Sequence, residues 1–176
     1  MFNLKYSISD KLEDKKGFTL MELMIVIVII GILSAVGMVM FGGQAEKAKI
    51  AASKANYKQF KTLIYTEVMQ CNNGLTDKFL YFSPGNYRHV GCPISGSYHA
   101  YVGTQHYFRF GPGSDMKNPY NPDEIAWRIS TSYKNDADVG YISVSTYLEE
   151  LRIRSCFAIP CSDPNNHVAI AVDVVN

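Results

Sequence analysis

The chain has 176 residues, with 17 Lys or Arg against 16 Asp or Glu, a formal net charge of +1 and 47% apolar residues. That length holds one domain plus an appendage. Near neutrality argues against nonspecific nucleic-acid binding as the main task, because such binding rests on neutralising many phosphates; a local basic patch is a separate matter.

The first stretch, 1–17, is polar and mixed in charge, with Lys5, Lys11, Lys15 and Lys16 against Asp10, Glu13 and Asp14. From Phe18 to Phe41 the only charged residue is Glu22. An apolar run of about 18 or more residues is long enough, as a helix, to cross a hydrocarbon core. The small residue Gly17 precedes this run, whereas a secretory signal places its small-residue cleavage site after the apolar region.

The helix is expected to continue past Gly42-Gly43. The segment that follows contains no proline, and Ile50, Ser53, Tyr57, Phe60, Ile64, Val68 and Cys71 recur at three- and four-residue steps along one helical face. Asn72-Asn73-Gly74 supplies a left-handed stop. Unbroken from Phe18 to Cys71, such a helix would be about 80 Å long.

Beyond Gly74 the reading turns to strands. The segments YHAYVG and QHYFRFG, then IAWRIST, YISVSTY, RIRSCFAI and HVAIAVDVV, are β-branched, aromatic or alternating. MKNPYNPDE reads as a loop and KNDADVG as a turn, which predicts an antiparallel meander. The resulting fold class is α+β: a long N-terminal helix packed on a C-terminal antiparallel sheet. The expected divisions are 1–17, 18–41, 42–71 and 72–176.

Four cysteines, Cys71, Cys92, Cys156 and Cys161, all lie outside the apolar run. An even count beside a membrane segment fits disulfides in an oxidising compartment. Four cysteines allow three connectivities, and the sequence-local one is expected: Cys71 with Cys92, Cys156 with Cys161.

Gly17-Phe18-Thr19-Leu20-Met21-Glu22, preceded by a short lysine-containing leader and followed by an apolar helix, resembles the processing motif of type IV pilins and their relatives. The resemblance covers Lys15 to Phe41. It implies that a prepilin peptidase on the cytoplasmic side cuts between Gly17 and Phe18 and methylates the new amine of Phe18. It implies a precursor in the cytoplasmic membrane that later joins an extracellular pilus. Its partners would be copies of itself or sibling pilins, and the fibre would serve adhesion, twitching motility or DNA uptake. The same motif admits a pseudopilin of a type II secretion or DNA-uptake machine. This sequence lacks the proline that many pilins carry in the latter half of the apolar segment.

A carboxylate within an apolar span is costly and marks function by default. Cleavage before Phe18 would create an ammonium group four residues from Glu22, the spacing of helical neighbours. In the family's filaments this glutamate meets the terminal amine of a neighbouring subunit. The plainer alternative is an uncleaved anchor whose Glu22 sits at headgroup level, holding a binding domain that never polymerises. Gly31, Ser34, Ala35 and Gly37 are small enough to let helices approach closely, though a lipid-facing helix carries such residues too. The lysine count points the other way on orientation. Lys47, Lys49, Lys54, Lys58 and Lys61 follow the span, which by charge alone would put the C-terminal side in the cytoplasm. The cysteines and the cleavage motif outweigh that count.

Other constellations are weaker. Cys156, Cys161 and His167 imitate metal-ligand spacing, but a disulfide is the commoner outcome in an exported domain. Asn135 to Gly140 spaces carboxylates like a calcium loop yet lacks the closing acid, Tyr147 standing in its place, so a polar turn is expected. Arg88, His89, His99, His106 and Arg109 interleave with Tyr87, Tyr98, Tyr101, Tyr107 and Phe108. Such a pattern can grip single-stranded DNA, and is more often a set of strand positions with one face in a core. No nucleophile–base pair or phosphate loop stands out, so neither an enzyme nor a cofactor or metal is expected.

Overall fold

The computed structural model describes residues 17–80 and 90–174, with the backbone alone for 39–42. The chain divides into two compact units, Met1–Gly43 and Gln44–Asn176. In the first unit the helix α1 (Leu20–Asn72) begins, and its span Leu20–Met38 is unburied and apolar enough by length and composition to cross a membrane. The expected leader lies outside the described residues apart from Gly17.

In the second unit α1 turns one stripe into the core. Ser53, Tyr57, Phe60, Ile64, Val68 and Cys71 are buried and Ile50 packs beside them, as their spacing predicts. The helix ends in a Schellman motif. Gly74 has φ +69°, its N–H donates to the Cys71 carbonyl and the Leu75 N–H donates to that of Gln70. The stop signal in Asn72-Asn73-Gly74 is therefore used.

A two-stranded antiparallel ribbon follows, β1 (Lys78–Phe79) with β2 (Val90–Gly91). Next come α2 (Ser97–Phe110) and a short 3-10 turn, Pro112–Asp115. The main sheet has the order β3 (Trp127–Ile129), β4 (Ile142–Tyr147), β5 (Glu150–Cys156), β6 (His167–Asp173). Its core face carries Ile142, Val144, Leu151, Ile153 and Val172 against the α1 stripe, so the fold is α+β with the helix packed on the sheet.

Two sequence expectations need correction. YHAYVG and QHYFRFG are not strands but the single helix α2. Ala100, Gly103, Thr104 and Phe108 are buried at helical spacing, and this period outweighs the aromatic, β-favouring composition. Gly103 also lets the ribbon close in, since a Cβ there would stand 2.8 Å from Phe79 Cδ1.

The sheet is antiparallel only from β4 to β6; β3 and β4 run parallel. A parallel pair needs a connection that carries the chain back to its starting end. Residues 130–141 do so through the 3-10 turn Asp136–Asp138, where Asn135 and Asp138 form a capping box. The Asp138 carboxylate accepts from Ser132 Oγ at 2.7 Å and pairs with Arg128 on β3, which fastens the connection against the strand it left. KNDADVG is thus a polar turn whose carboxylates serve the fold, Asp136 accepting from the Cys161 N–H at 2.8 Å.

Tyr57 supplies a pH test of the packed stripe. Its hydroxyl is buried and has no hydrogen-bond partner among the described residues. Burial, and secondarily Tyr65, pushes the phenol up to about 12. The folded value lies above the ordinary one of about 10. Stability tied to this neutral phenol is therefore complete below pH ~10 and is lost as pH rises through about 12. Tyr57→Phe is expected to remove that alkaline loss while shifting neutral-pH stability by about 1 kcal/mol or less, because no hydrogen bond is surrendered. Thermal melts of both proteins across the alkaline range check this; superimposable pH profiles would refute it.

Candidate functional site

The start of α1 is built by a reciprocal pair. The Thr19 hydroxyl accepts from the Glu22 N–H at 3.2 Å, and the Glu22 carboxylate accepts from the Thr19 N–H at 2.8 Å and the Thr19 hydroxyl at 2.9 Å. This is a capping box, Thr at the N-cap and Glu three residues on, which satisfies donors that a helix start otherwise leaves open. The carboxylate also faces the positive end of the helix dipole, a favourable place for a negative charge.

The cap fixes what lies outside the helix. Gly17 and Phe18 are non-helical and exposed, Phe18 at 88%. Phe18 and Glu22 are therefore not an i,i+4 pair on one helical face, as the bare spacing suggested, because Phe18 precedes the cap. The Gly17–Phe18 peptide bond sits in open, irregular backbone directly ahead of a defined helix start. The signal that finds this arrangement is in the sequence: Thr19-Leu20-Met21-Glu22 has the Thr-x-x-Glu form of a capping box ahead of an apolar run. Farther along, Gly31 has open space around it and the Ser34 hydroxyl donates to the Ile30 carbonyl at 2.7 Å, so its polar atom is satisfied within the helix.

The cysteines form two disulfides. Cys71–Cys92 joins the last turn of α1 to the residue after β2, and Cys156–Cys161 closes the loop that leaves β5. Cys156 and Cys161 are both fully buried, and the His167 ring nitrogen Nδ1 lies 2.9 Å from the Cys161 carbonyl, so those three residues form a packed corner. Among the described residues no cluster of three or more His, Cys, Asp or Glu is placed to hold a metal.

The basic and aromatic residues read from sequence are distributed around α2. Tyr98 is 66% exposed and Phe108 is 1% exposed, stacked on Phe60 with ring centroids 4.2 Å apart. His99 Nδ1 meets Ser95 Oγ at 2.8 Å, and Arg109 lies over the Phe110 ring. Tyr87, Arg88 and His89 lie outside the described residues.

A helix-on-sheet domain, with a capped helix start ahead of it whose span Leu20–Met38 is long and apolar enough to cross a membrane, defines an α+β protein. More particularly, residues 14–38 match the family described as the prokaryotic N-terminal methylation motif. The segment thus carries a prepilin-type leader, and the resemblance to type IV pilin-like proteins rests on it. Proteins with this motif are a structural kind, and the motif together with the apolar helix fits membrane anchoring. No curated protein and no solved structure matches the chain.

Proposed function

We propose that the chain is the precursor of a type IV pilus subunit, divided as 1–17 leader, 18–41 membrane and filament-core segment, 42–71 amphipathic segment and 72–176 sheet domain. A prepilin peptidase cuts between Gly17 and Phe18, methylates Phe18, and releases the subunit for polymerisation with copies of itself or sibling pilins. The observation that carries this reading is the methylation motif over residues 14–38 on an unburied apolar span, Leu20–Met38. An unburied apolar helix needs lipid or other helices around it, and a filament supplies the second as the bilayer is left behind.

The capping box supports the processing step. A peptidase needs an extended, accessible bond, and the cap keeps helix out of Gly17–Phe18 while leaving Glu22 one turn away. After the cut, Glu22 holds the only side-chain charge in the apolar segment and sets subunit stagger against a neighbour's N-terminal amine. A low-dielectric pair of this kind penalises wrong register more than it adds net stability.

Intact-mass measurement of the chain from a sheared cell-surface fraction tests the proposal, with and without reduction. Loss of 1–17, one added methyl group and two disulfides are expected. A full-length chain confined to membranes would refute it and leave an anchored domain.

A further inference from the structure

The sheet face turned away from α1 carries a trough that the filament reading does not use. Along β5 the side chains alternate, Leu151 and Ile153 entering the core while Glu150, Arg152 and Arg154 point outward. Across the β5–β6 register, Arg152 stands opposite Ala171, Arg154 opposite Ala169 and Glu150 opposite Asp173. The small alanines leave a floor beside the two guanidinium groups, and a cavity of about 460 Å³ opens there. At the far end Tyr133 closes the trough, its ring 5.1 Å from that of His167.

The arginines are held in place rather than free to wander. Arg152 lies over the Tyr147 ring at 3.9 Å and donates from Nε to Glu150 at 3.3 Å. Arg154 donates to Ser145 Oγ at 2.7 Å and stands near the Tyr133 ring. Among the described residues no carboxylate pairs with Arg154. Burial, and then the neighbouring Arg152 charge, holds its guanidinium below the ordinary value.

The charges are ordered along the trough: aromatic ring, two arginines, then the Glu150–Asp173 pair. A long polyanion lying along β5 would run into those carboxylates. A short ligand with one carboxylate, hydroxyl donors and an apolar ring face would satisfy every part.

We propose that this trough binds an acidic sugar residue of a surface polysaccharide, its carboxylate on Arg152 and Arg154. Planar, fork-like guanidinium groups suit carboxylate oxygens. The sugar ring lies toward Tyr133, and its hydroxyls donate to Glu150 and Asp173. The site belongs to the sheet domain alone, so binding requires neither leader cleavage nor polymerisation.

The test uses the full chain purified in detergent, titrated calorimetrically with trigalacturonate, its trimethyl ester and an oligothymidine. Trigalacturonate is expected to bind at least tenfold more tightly than the ester or the oligonucleotide. The double variant Arg152→Ala with Arg154→Ala should weaken it at least tenfold. Ala171→Leu, which fills the floor and keeps both cations, should weaken it similarly with an unchanged melting temperature. Equal affinity for acid and ester, tighter binding of oligothymidine, retention of affinity in both variants, or no binding of the acid would each overturn the proposal.

Discussion

Glu22→Gln is expected to abolish surface filaments while leaving the start of α1 intact. A glutamine at this position still accepts from the Thr19 N–H, so the capping box survives. What disappears is the negative charge, the only one between Phe18 and Phe41. If Glu22 serves chiefly as a cap for its own helix, the variant assembles normally. If its charge meets a neighbour's amine, sheared-filament yield falls at least tenfold even though the peptidase still cuts.

Thr19→Ala makes the complementary change. It removes the hydroxyl that accepts from the Glu22 N–H and keeps the carboxylate. Fraying at Leu20 then leaves α1 with a less defined start, and the expected result is slower processing with filaments still formed. Immunoblots of precursor and mature chain, beside the sheared fraction, separate the two effects. Processing lost in Glu22→Gln, or filament yield unchanged in it, would contradict the division of labour between cap and charge.

The legibility of this chain follows from the length over which each signal is averaged. The buried stripe of α1 could be read residue by residue from Ile50 to Cys71, because seven positions repeat one period and no other element competes for them. The helix stop was equally plain, since only a residue tolerant of φ +69° closes a Schellman motif cheaply and Gly74 stands there. α2 reads as strand by composition, because Tyr, Phe and Val favour strands. Its period was carried instead by the small residues Ala100, Gly103 and Thr104, which a search for large apolar side chains passes over.

The parallel pairing of β3 with β4 was hidden for a different reason. Whether a connection reverses the chain or returns it depends on where its polar side chains attach. The tie between Arg128 and Asp138 joins residues far enough apart that no local pattern announces it. At the head of α1 the reverse happened. Thr19 and Glu22 stand three apart in the sequence, but a carboxylate's cost in an apolar span and its role as a local cap are both consistent with that spacing. The trough over β5 was invisible until register was known. Arg152 and Arg154 share a face by alternation, but nothing in the sequence puts Ala169 and Ala171 opposite them.

Phe60→Ala should be the most damaging single change in the second unit, lowering stability by about 3–5 kcal/mol. Phe60 is fully buried at the middle of the α1 stripe and stacks on Phe108, which in turn stacks toward Trp127 of β3 at 6.4 Å. One ring thus joins the long helix, α2 and the sheet. Its loss removes apolar burial from all three and leaves a hole that close-packed neighbours fill only in part. Met69→Ala on the same helix, 62% exposed, is the control and should cost no more than about 0.5 kcal/mol. Denaturant unfolding of the full chain in detergent, with both disulfides intact, measures the difference. Equal costs at the two positions would mean that the stripe does not anchor the sheet. The Cys71–Cys92 bond holds only the last turn of α1, so it limits how far a loosened helix can part from β2 without replacing the packing at Phe60. The variant should accordingly keep its disulfides and still lose its cooperative transition at a lower denaturant concentration. That outcome would place the strength of the helix-on-sheet joint in apolar contact, with the covalent link confined to its end.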